Sequence, residues 1–365
     1  MAMKVLYDYQ AFKMQKFGGI SRYFYNLCKY NNGFWDYKVQ ANFLDNVYLD
    51  EISENKKCKI KRPFPGKGIF INGYNKIDLS MILLNSDFDI FHPTYYSLSK
   101  IHIFNPIVLT VHDFINELFP YYWSDSFNTI NNKKNAIYKA DRIIAVSQST
   151  KNDLLKFYPE IPEDKIDVVY HAIEWTPNEQ HILSRKINNP YILFTGQRWF
   201  YKNFKLFAKA ISPLLKKYDL YLICTGSDFT QQEKQYIEDL NIADRTFVIF
   251  ADENELKALY EHALCFVFPS LYEGFGLPIL EAFASNCPIA ISNASCFPEI
   301  ADDSALYFDP NSESEICKTV ENLITSESLR NELVQKGSDR FNFFSMDSFI
   351  KNTYNFYEKT LETKR

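Results

Sequence analysis

Residues 266–308 constrain the fold of this 365-residue chain more than any other stretch of its sequence. Residues 266–268 form a short apolar run that Pro269 ends, as expected of a buried strand. A loop with two glycines follows, and Pro278 then suits the first turn of a helix. Alternation of strands and helices recurs in both halves of the chain, which predicts an α/β protein with two Rossmann-like domains.

The loop and the start of this helix favour an anionic ligand. The first N–H groups of the helix and the positive end of its dipole would point at whatever the loop holds. Glu273 in the loop and Glu281 in the helix lie eight residues apart, and their carboxylates can accept hydrogen bonds from hydroxyls. The pattern suggests a sugar nucleotide; the alternative is a helix-capping turn with surface carboxylates.

The string EGFGLPILEA over residues 273–282 resembles the donor-site signature of the family 4 retaining glycosyltransferases. The resemblance implies the GT-B fold, in which two Rossmann-like domains face each other across a cleft and a C-terminal helix crosses back to the first domain. It implies retaining transfer of a hexose from a nucleotide-diphosphate sugar, with no metal and no further cofactor. In this family Glu273 would hold sugar hydroxyls as a catalytic residue, and Glu281 would accept from the ribose. The other donor-binding positions carried over in the loop are Gly274, Phe275, Gly276 and Leu277.

A second candidate segment follows the strand that begins at Tyr191. Arg198 and Lys202 lie four residues apart where a loop after Gly196 enters a helix. Two cations beside a helix start can clamp a diphosphate, whereas alone they would be taken as surface charges. The resemblance assigns both cations to the leaving diphosphate as catalytic groups, and Gly196 to donor binding.

The N-terminal half offers two further candidate sites. Gly18 and Gly19 form a turn between a strand and a helix, but the dinucleotide fingerprint GxGxxG is absent. His112 and Asp113 follow a strand at residues 106–110, where open parallel sheets bind ligands. A structural histidine is the alternative. The resemblance places the Gly18–Gly19 turn near the donor phosphate and the acceptor, and it places His112 on the donor sugar, with Asp113 in donor binding.

The domain boundaries follow from composition. Residues 171–190 are polar, carry two prolines and show little periodicity, as is typical of a linker. We therefore predict an N-terminal domain at 1–172, a nucleotide-sugar-binding domain at 190–342 and a crossing helix at 343–365. Residues 39–43 are predicted to form a second strand of the first domain.

Three features bear on the donor. The HDF segment, the E-x-F-P segment at residues 117–120 and the RWFYKN loop look most like bacterial mannosyltransferases that build O-antigen or capsule chains. GDP-mannose is therefore favoured, with a glycan or lipid-linked acceptor in surface polysaccharide synthesis. The alternatives are a UDP-sugar transferase of the same fold and a non-catalytic GT-B assembly subunit.

Asp87 and Asp89 imitate a DxD metal motif, but they directly precede a strand, so we predict no metal site.

Charge and hydropathy bear on location. A net charge of -5 and a pI near 5.8 do not indicate a nucleic-acid partner. No signal peptide and no apolar run of membrane-spanning length is evident, so we expect a cytoplasmic protein. The basic segment at residues 56–70 is either a solvated loop or a patch that rests on the inner face of an anionic membrane. Its six basic residues are Lys56, Lys57, Lys59, Lys61, Arg62 and Lys67.

Overall fold

A computed structural model describes residues 3–52, 64–85, 87–98, 102–175, 183 and 187–363. The chain divides into two compact units, which we call the first and the second unit. The first unit comprises Met1–His171 together with Met346–Arg365, and the second comprises Ala172–Ser345.

The first unit alternates strands and helices. In chain order these are β1 (Met3–Tyr7), α1 (Gln10–Met14), α2 (Gly19–Lys29), β2 (Trp35–Val39), α3 (Leu49–Ile52), α4 (Lys67–Asn85), β3 (Ile90–His92), β4 (Val108–Val111), α5 (Ile115–Leu118), α6 (Ser126–Lys139), β5 (Arg142–Ala145), α7 (Gln148–Phe157) and β6 (Ile166–Val168). The strands are parallel, in the orders β2-β1-β3 and β4-β5-β6, and a bridge from Phe91 to Ile107 joins the two sets. Because the carboxyl ends of parallel strands share one edge, the loops after β1, β3 and β4 lie on the same side of the sheet.

The strand predicted at residues 39–43 is wrong, because β2 ends at Val39. The segment beyond it leaves the sheet. The Asn42 side chain donates to Asp78 Oδ2 at 2.7 Å, and Asn75 of α4 donates back to the Asn42 carbonyl at 3.0 Å. Phe43 has a φ of 60°, which no strand residue adopts. Contacts to a distant helix thus satisfy a segment whose alternating pattern resembles a strand.

The second unit repeats the same alternation. Its elements are β7 (Tyr191–Phe194), α8 (Phe204–Lys217), β8 (Tyr221–Thr225), α9 (Gln231–Asp239), β9 (Thr246–Ile249), α10 (Glu253–Glu261), β10 (Cys265–Phe268), α11 (Leu277–Ala284), β11 (Ile289–Ser292), α12 (Phe297–Ala301), β12 (Leu306–Phe308), α13 (Glu313–Thr325) and α14 (Glu327–Phe343). The sheet has the order β12-β11-β10-β7-β8-β9. Every residue of β7, β10 and β11 is buried, as expected of parallel strands covered on both faces.

The strand order of the second unit reverses between two neighbours, β7 and β10. From β7 the chain proceeds through β8 and β9 on one side, and then returns to lay down β10, β11 and β12 on the other. Open α/β sheets bind ligands outside the carboxyl ends of the strands at such a reversal. The two loops that follow β7 and β10 are therefore the expected place for a ligand in the second unit.

The helix after the second unit, α15 (Met346–Glu362), belongs to the first unit. Its Tyr357 hydroxyl lies 3.0 Å from the Tyr7 hydroxyl and 2.7 Å from His92 Nδ1. The Tyr357 ring meets the buried ring of Trp35 edge-on, with 5.3 Å between centroids. Buried hydroxyls that pair with one another and with an imidazole thus fix α15 against β1, β2 and β3.

Candidate functional site

The loops after β7 and β10 meet through an ion pair. Lys202, which ends a 3-10 turn at Phe200–Lys202, places its Nζ 2.5 Å from Glu273 Oε1. Both side chains are largely buried, at 14% and 13% exposed. Ser270 Oγ donates to the same carboxylate oxygen at 2.9 Å, and the ammonium lies over the Phe268 ring, 5.0 Å from its centroid. The structure therefore brings two of the predicted catalytic residues together at the reversal of the sheet.

The backbone around Glu273 is held from two sides. Its N–H donates to Ser295 Oγ at 3.1 Å, and the Cys296 thiol donates to its carbonyl at 3.3 Å. Gly276 caps α11 with a φ of 89°, and a Cβ there would lie 3.1 Å from the ring of Phe297. Only glycine suits both the left-handed backbone and that close approach. The loop that contains Gly274, Phe275, Gly276 and Leu277 thus leads directly into the N-terminus of α11.

Glu281 lies in α11 and is 8% exposed. The hydroxyl of Tyr260, in α10, donates to its Oε2 at 3.3 Å. A buried carboxylate requires such partners, because its desolvation is otherwise costly. Sequence reasoning missed Tyr260, which reads as one more aromatic residue of an apolar helix face.

Arg198 pairs with a different carboxylate from the one that Lys202 contacts. Its Nε donates to Glu233 Oε1 at 3.0 Å, and its Nη2 donates to the carbonyls of Ser227 at 2.5 Å and Asp228 at 3.0 Å. The side chain is 2% exposed. Glu233 is also the fourth and last residue of a capping box that begins at Thr230. The T-x-x-E pattern in the sequence indicates the capping box. It does not indicate that Glu233 also pairs with Arg198. The clamp formed jointly by Arg198 and Lys202 stays a prediction.

His112 follows β4 and is buried. Its backbone N–H donates to the Tyr96 hydroxyl at 3.2 Å, whereas the Nε2 of its ring has no hydrogen-bond partner among the described residues. Burial lowers the pKa of His112 to about 4, so the imidazole is neutral near pH 7. A buried ring nitrogen without a partner is an atom that a ligand hydroxyl could satisfy.

The Gly18–Gly19 turn is connected to His112 through the helix that it starts. Gly19 is the first residue of α2, and Tyr23 one turn later meets the His112 ring edge-on at 5.2 Å between centroids. Asp113 uses its Oδ1 to accept from the Ile115 N–H at 3.0 Å, which starts α5. Asp113 is thus the sequence neighbour of His112, and Gly18 and Gly19 are linked to it through Tyr23 of α2; the donor-binding role of all three stays a prediction.

A buried ion pair supports the loop that carries His112. Lys133 Nζ donates to Glu117 Oε2 at 2.7 Å and to the carbonyl of Asp113 at 2.9 Å. The two side chains are 0% and 5% exposed. The available signal was a lysine in register with Ala136 and Ile137 on the buried face of α6. Lys133 was missed because lysine is rarely fully buried unless it is paired.

Across the described residues, no cluster of three or more His, Cys, Asp or Glu side chains has a geometry suited to a metal ion.

Gly196, at the start of the loop after β7, has a φ of 92° and donates its N–H to Thr225 Oγ1 at 3.1 Å. This turn and the turn at Gly276 lie at the ends of the two strands where the sheet order reverses.

The sequence matches two family models. "Glycosyltransferase Family 4" covers residues 17–175 and "Glycosyl transferases group 1" covers residues 177–340. The O-antigen chain mannosyltransferase RfbU of Salmonella typhimurium is 31% identical over 252 residues, which is 67% of this chain and 68% of that protein. The O-antigen chain mannosyltransferase B of Escherichia coli is 26% identical over 231 residues, 60% of this chain and 55% of the relative.

Solved structures share the fold. A glycosyltransferase from Rickettsia africae superposes with a TM-score of 0.70 at 18% sequence identity, over 99% of each chain. At this identity the likeness concerns the fold, which is GT-B as the sequence predicts.

Lowering the pH from about 7.5 to about 5 should destabilise the first unit, because three buried histidines stay neutral in the folded chain. Burial lowers the pKa of His92 to about 3, that of His112 to about 4, and that of His171 well below its usual value. An unfolded histidine titrates near ~6.5, so below that pH the unfolded chain binds protons that the folded chain does not. The free energy of unfolding should fall by up to about 4 kcal/mol per pH unit until the folded His112 ring begins to titrate near pH 4.

Urea unfolding across this range, followed in the transition of the first unit, measures the slope. His92→Gln should reduce it by about one third, since one of three groups is removed. The matched control is His262→Gln, at an exposed position of the second unit. A free energy of unfolding independent of pH between about 6 and about 5 would contradict the prediction.

Proposed function

The chain belongs to the family 4 glycosyltransferases, and on that premise we propose that it transfers a hexose, with mannose from GDP-mannose favoured, to a glycan or lipid-linked acceptor of surface polysaccharide synthesis. Two relatives, both O-antigen chain mannosyltransferases, support this choice. The observation that carries the proposal is the contact between Lys202 and Glu273 at the reversal of the sheet.

Loss of the diphosphate is the difficult step of such a transfer. Negative charge grows on the departing oxygens while the sugar becomes cation-like. Lys202 and the N–H groups at the start of α11 would stabilise that negative charge where it develops. Glu273, which holds the Lys202 ammonium in the free protein, would then accept from sugar hydroxyls, and Glu281 from the ribose.

Arg198 is the second cation of this proposal. Its Nε and Nη2 are bound by Glu233 and two backbone carbonyls, whereas its buried Nη1 has no hydrogen-bond partner among the described residues. Nη1 would donate to a diphosphate oxygen while Nε keeps its bond to Glu233, so neither charged side chain is left alone.

His112 contributes a neutral imidazole. Its Nε2 would form a hydrogen bond to a hydroxyl of the donor sugar, which fits its lack of a partner among the described residues. By resemblance to the family, the acceptor hydroxyl attacks the anomeric carbon on the face that the diphosphate leaves. The bond from carbon to the phosphate oxygen breaks, the bond to the acceptor oxygen forms, and the leaving phosphate takes the acceptor proton. The configuration at the anomeric carbon is retained.

Activity measurements on three variants test these roles. Lys202→Ala, Glu273→Ala and Arg198→Ala should each reduce turnover by about 30- to 1,000-fold, because each removes about 2–4 kcal/mol of transition-state stabilisation. Lys209→Ala is the matched control, since it removes a lysine from an exposed ion pair with Glu313 in the same unit. If the two single variants Arg198→Ala and Glu273→Ala both kept near wild-type turnover, the assignment would be refuted.

Thermal-shift measurements with GDP, UDP and their sugars identify the donor. A nucleotide present at a hundred times its dissociation constant should stabilise the protein by ~2.7 kcal/mol. We expect GDP and GDP-mannose to raise the melting temperature more than UDP and UDP-sugars do. The reverse order would favour the UDP-sugar transferase. Neither a shift nor donor hydrolysis would favour the non-catalytic assembly subunit.

We also propose a cytoplasmic location with peripheral contact to a membrane, which suits a lipid-linked acceptor. Of the six basic residues predicted to touch lipid, Lys67 begins α4, and the other five lie outside the described residues. One face of α4 carries apolar residues that are each 51–81% exposed to solvent. The opposite face packs into the first unit. The exposed residues are Ile69, Phe70, Ile77, Met81 and Leu84. Such a face on a helix that begins at Lys67 and follows a basic segment in the sequence fits an anionic bilayer surface. In the described part of the chain, no helix has both the length and the hydrophobicity that a bilayer crossing demands.

Sedimentation with anionic liposomes tests this contact. The triple variant Ile77→Ser, Met81→Ser, Leu84→Ser should bind at least about tenfold more weakly, since each apolar side chain contributes on the order of 1 kcal/mol or more when it leaves water. Replacing the six basic residues by Ser should weaken binding as well, by about 1 kcal/mol per residue near the lipid. Phe250→Ser, at a residue 83% exposed in the second unit, is the control. Unchanged sedimentation of both multiple variants would refute the contact.

A further inference from the structure

Tyr260 occupies a central position in the second unit. It lies near the end of α10, and its side chain is fully buried. Its ring meets Phe266 edge-on at 5.2 Å between centroids and Trp175 at 6.2 Å. Because both faces and edges of the ring are packed, the position of the hydroxyl is fixed by the core rather than by solvent.

The Tyr260 hydroxyl connects two groups. It lies 3.3 Å from Glu281 Oε2 and 3.1 Å from Thr195 Oγ1. An ionised carboxylate only accepts hydrogen bonds, and a phenol carries a single proton. Tyr260 therefore donates to Glu281 and accepts from the Thr195 hydroxyl. Burial raises the pKa of Tyr260 well above its usual value, so the phenol keeps the proton that it donates.

Thr195 carries this connection to the loop after β7. It directly precedes Gly196, whose N–H donates to Thr225 Oγ1 at 3.1 Å. A Cβ on Gly226 would lie 2.8 Å from the Gly196 carbonyl oxygen, so the turns after β7 and β8 touch each other through backbone. One phenol thus joins the glycine turn after β7 to the carboxylate on α11.

The orientation of Glu281 depends on this contact. A carboxylate on a helix has three side-chain torsions, and a hydrogen bond from a rigid donor to one oxygen restricts the rotamers that it can adopt. A carboxylate can accept about four hydrogen bonds, so one bond from Tyr260 and two from a pair of neighbouring hydroxyls lie within the number that it can accept. A ribose presents such a pair at its 2′ and 3′ carbons.

We propose that Tyr260 is a positioning residue that holds the Glu281 carboxylate for the 2′,3′-diol of the donor ribose, and so lets the site distinguish ribonucleotides from nucleotides without that diol. The inference rests on the proposed function, because it takes Glu281 as the ribose ligand. The competing interpretation is that Tyr260 only fills the core and that its hydroxyl bond is incidental.

Calorimetric titration of the full chain with GDP and 2′,3′-dideoxy-GDP, and with UDP and 2′,3′-dideoxy-UDP, separates the two. The wild-type protein should bind the ribonucleotide at least about tenfold more tightly than the dideoxy form, as expected when a charged acceptor loses its hydroxyl partners. Tyr260→Phe removes one hydroxyl and keeps the ring. It should weaken ribonucleotide binding by about five- to tenfold and change dideoxynucleotide binding by less than about twofold.

The control is Tyr191→Phe. Tyr191 is another buried tyrosine of the second unit, and its hydroxyl donates to the Leu259 carbonyl at 2.7 Å. This variant should keep the wild-type ratio of the two affinities. A loss of stability common to both variants would therefore not be mistaken for a loss of ribose recognition.

A second variant removes the dependence on one substitution. Glu281→Gln should also reduce the preference for the diol, and Tyr260→Phe in that background should reduce ribonucleotide binding no further, because both act through the same carboxylate. Additive effects in this cycle, or a wild-type ratio in Tyr260→Phe, would overturn the positioning role and leave the proposed function intact. Equal binding of ribo- and dideoxynucleotide by the wild type would overturn Glu281 as the ribose ligand. Binding of neither GDP nor UDP would instead refute the proposed function itself.

Discussion

The reversal of strand order between β7 and β10 is the constraint on which the candidate donor site depends. At every other place in a doubly wound sheet, a crossover helix on the same side covers the ends of adjacent strands. At the reversal the chain departs in opposite directions, and the two loops are left side by side over an open edge. Lys202 from one loop and Glu273 from the other meet there, although 71 residues separate them in sequence. The ion pair is thus a product of topology, and Gly196 and Gly276 supply the left-handed backbone of the turns in the two loops.

The parts of this site that could be predicted are those encoded by local sequence. The start of α11 is marked by Gly276 and Pro278, and the left-handed backbone at Gly276 follows from a turn that only glycine adopts easily. The strand before it was visible as an apolar run, because buried parallel strands are hydrophobic on both faces. Resemblance to a known family added the functional meaning of Glu273, which local physics alone could not distinguish from a capping carboxylate.

The parts that could not be predicted depend on partners distant in sequence. Arg198 sits beside the glycine turn, but its rotamer directs the guanidinium to Glu233. Lys133 is a charged residue on a helix, and only the approach of Glu117 and the Asp113 carbonyl makes its complete burial tolerable. The misplaced strand at residues 39–43 has the same cause, since Asn75 and Asp78 of α4 supply hydrogen bonds that alternation alone attributes to a sheet. Hydropathy patterns report which side chains leave water, but not which atoms they meet.

The return of α15 to the first unit has a consequence for biosynthesis. A ribosome makes the chain from its N-terminus, so β1, β2 and β3 emerge long before the helix that completes their packing. During that interval the whole second unit is translated and can fold by itself. Tyr7, Trp35 and His92 meanwhile lack their contacts with the side chain of Tyr357. The half that is synthesised first is therefore the half that matures last, and a nascent chain stalled before α15 would expose an incomplete core to chaperones and proteases.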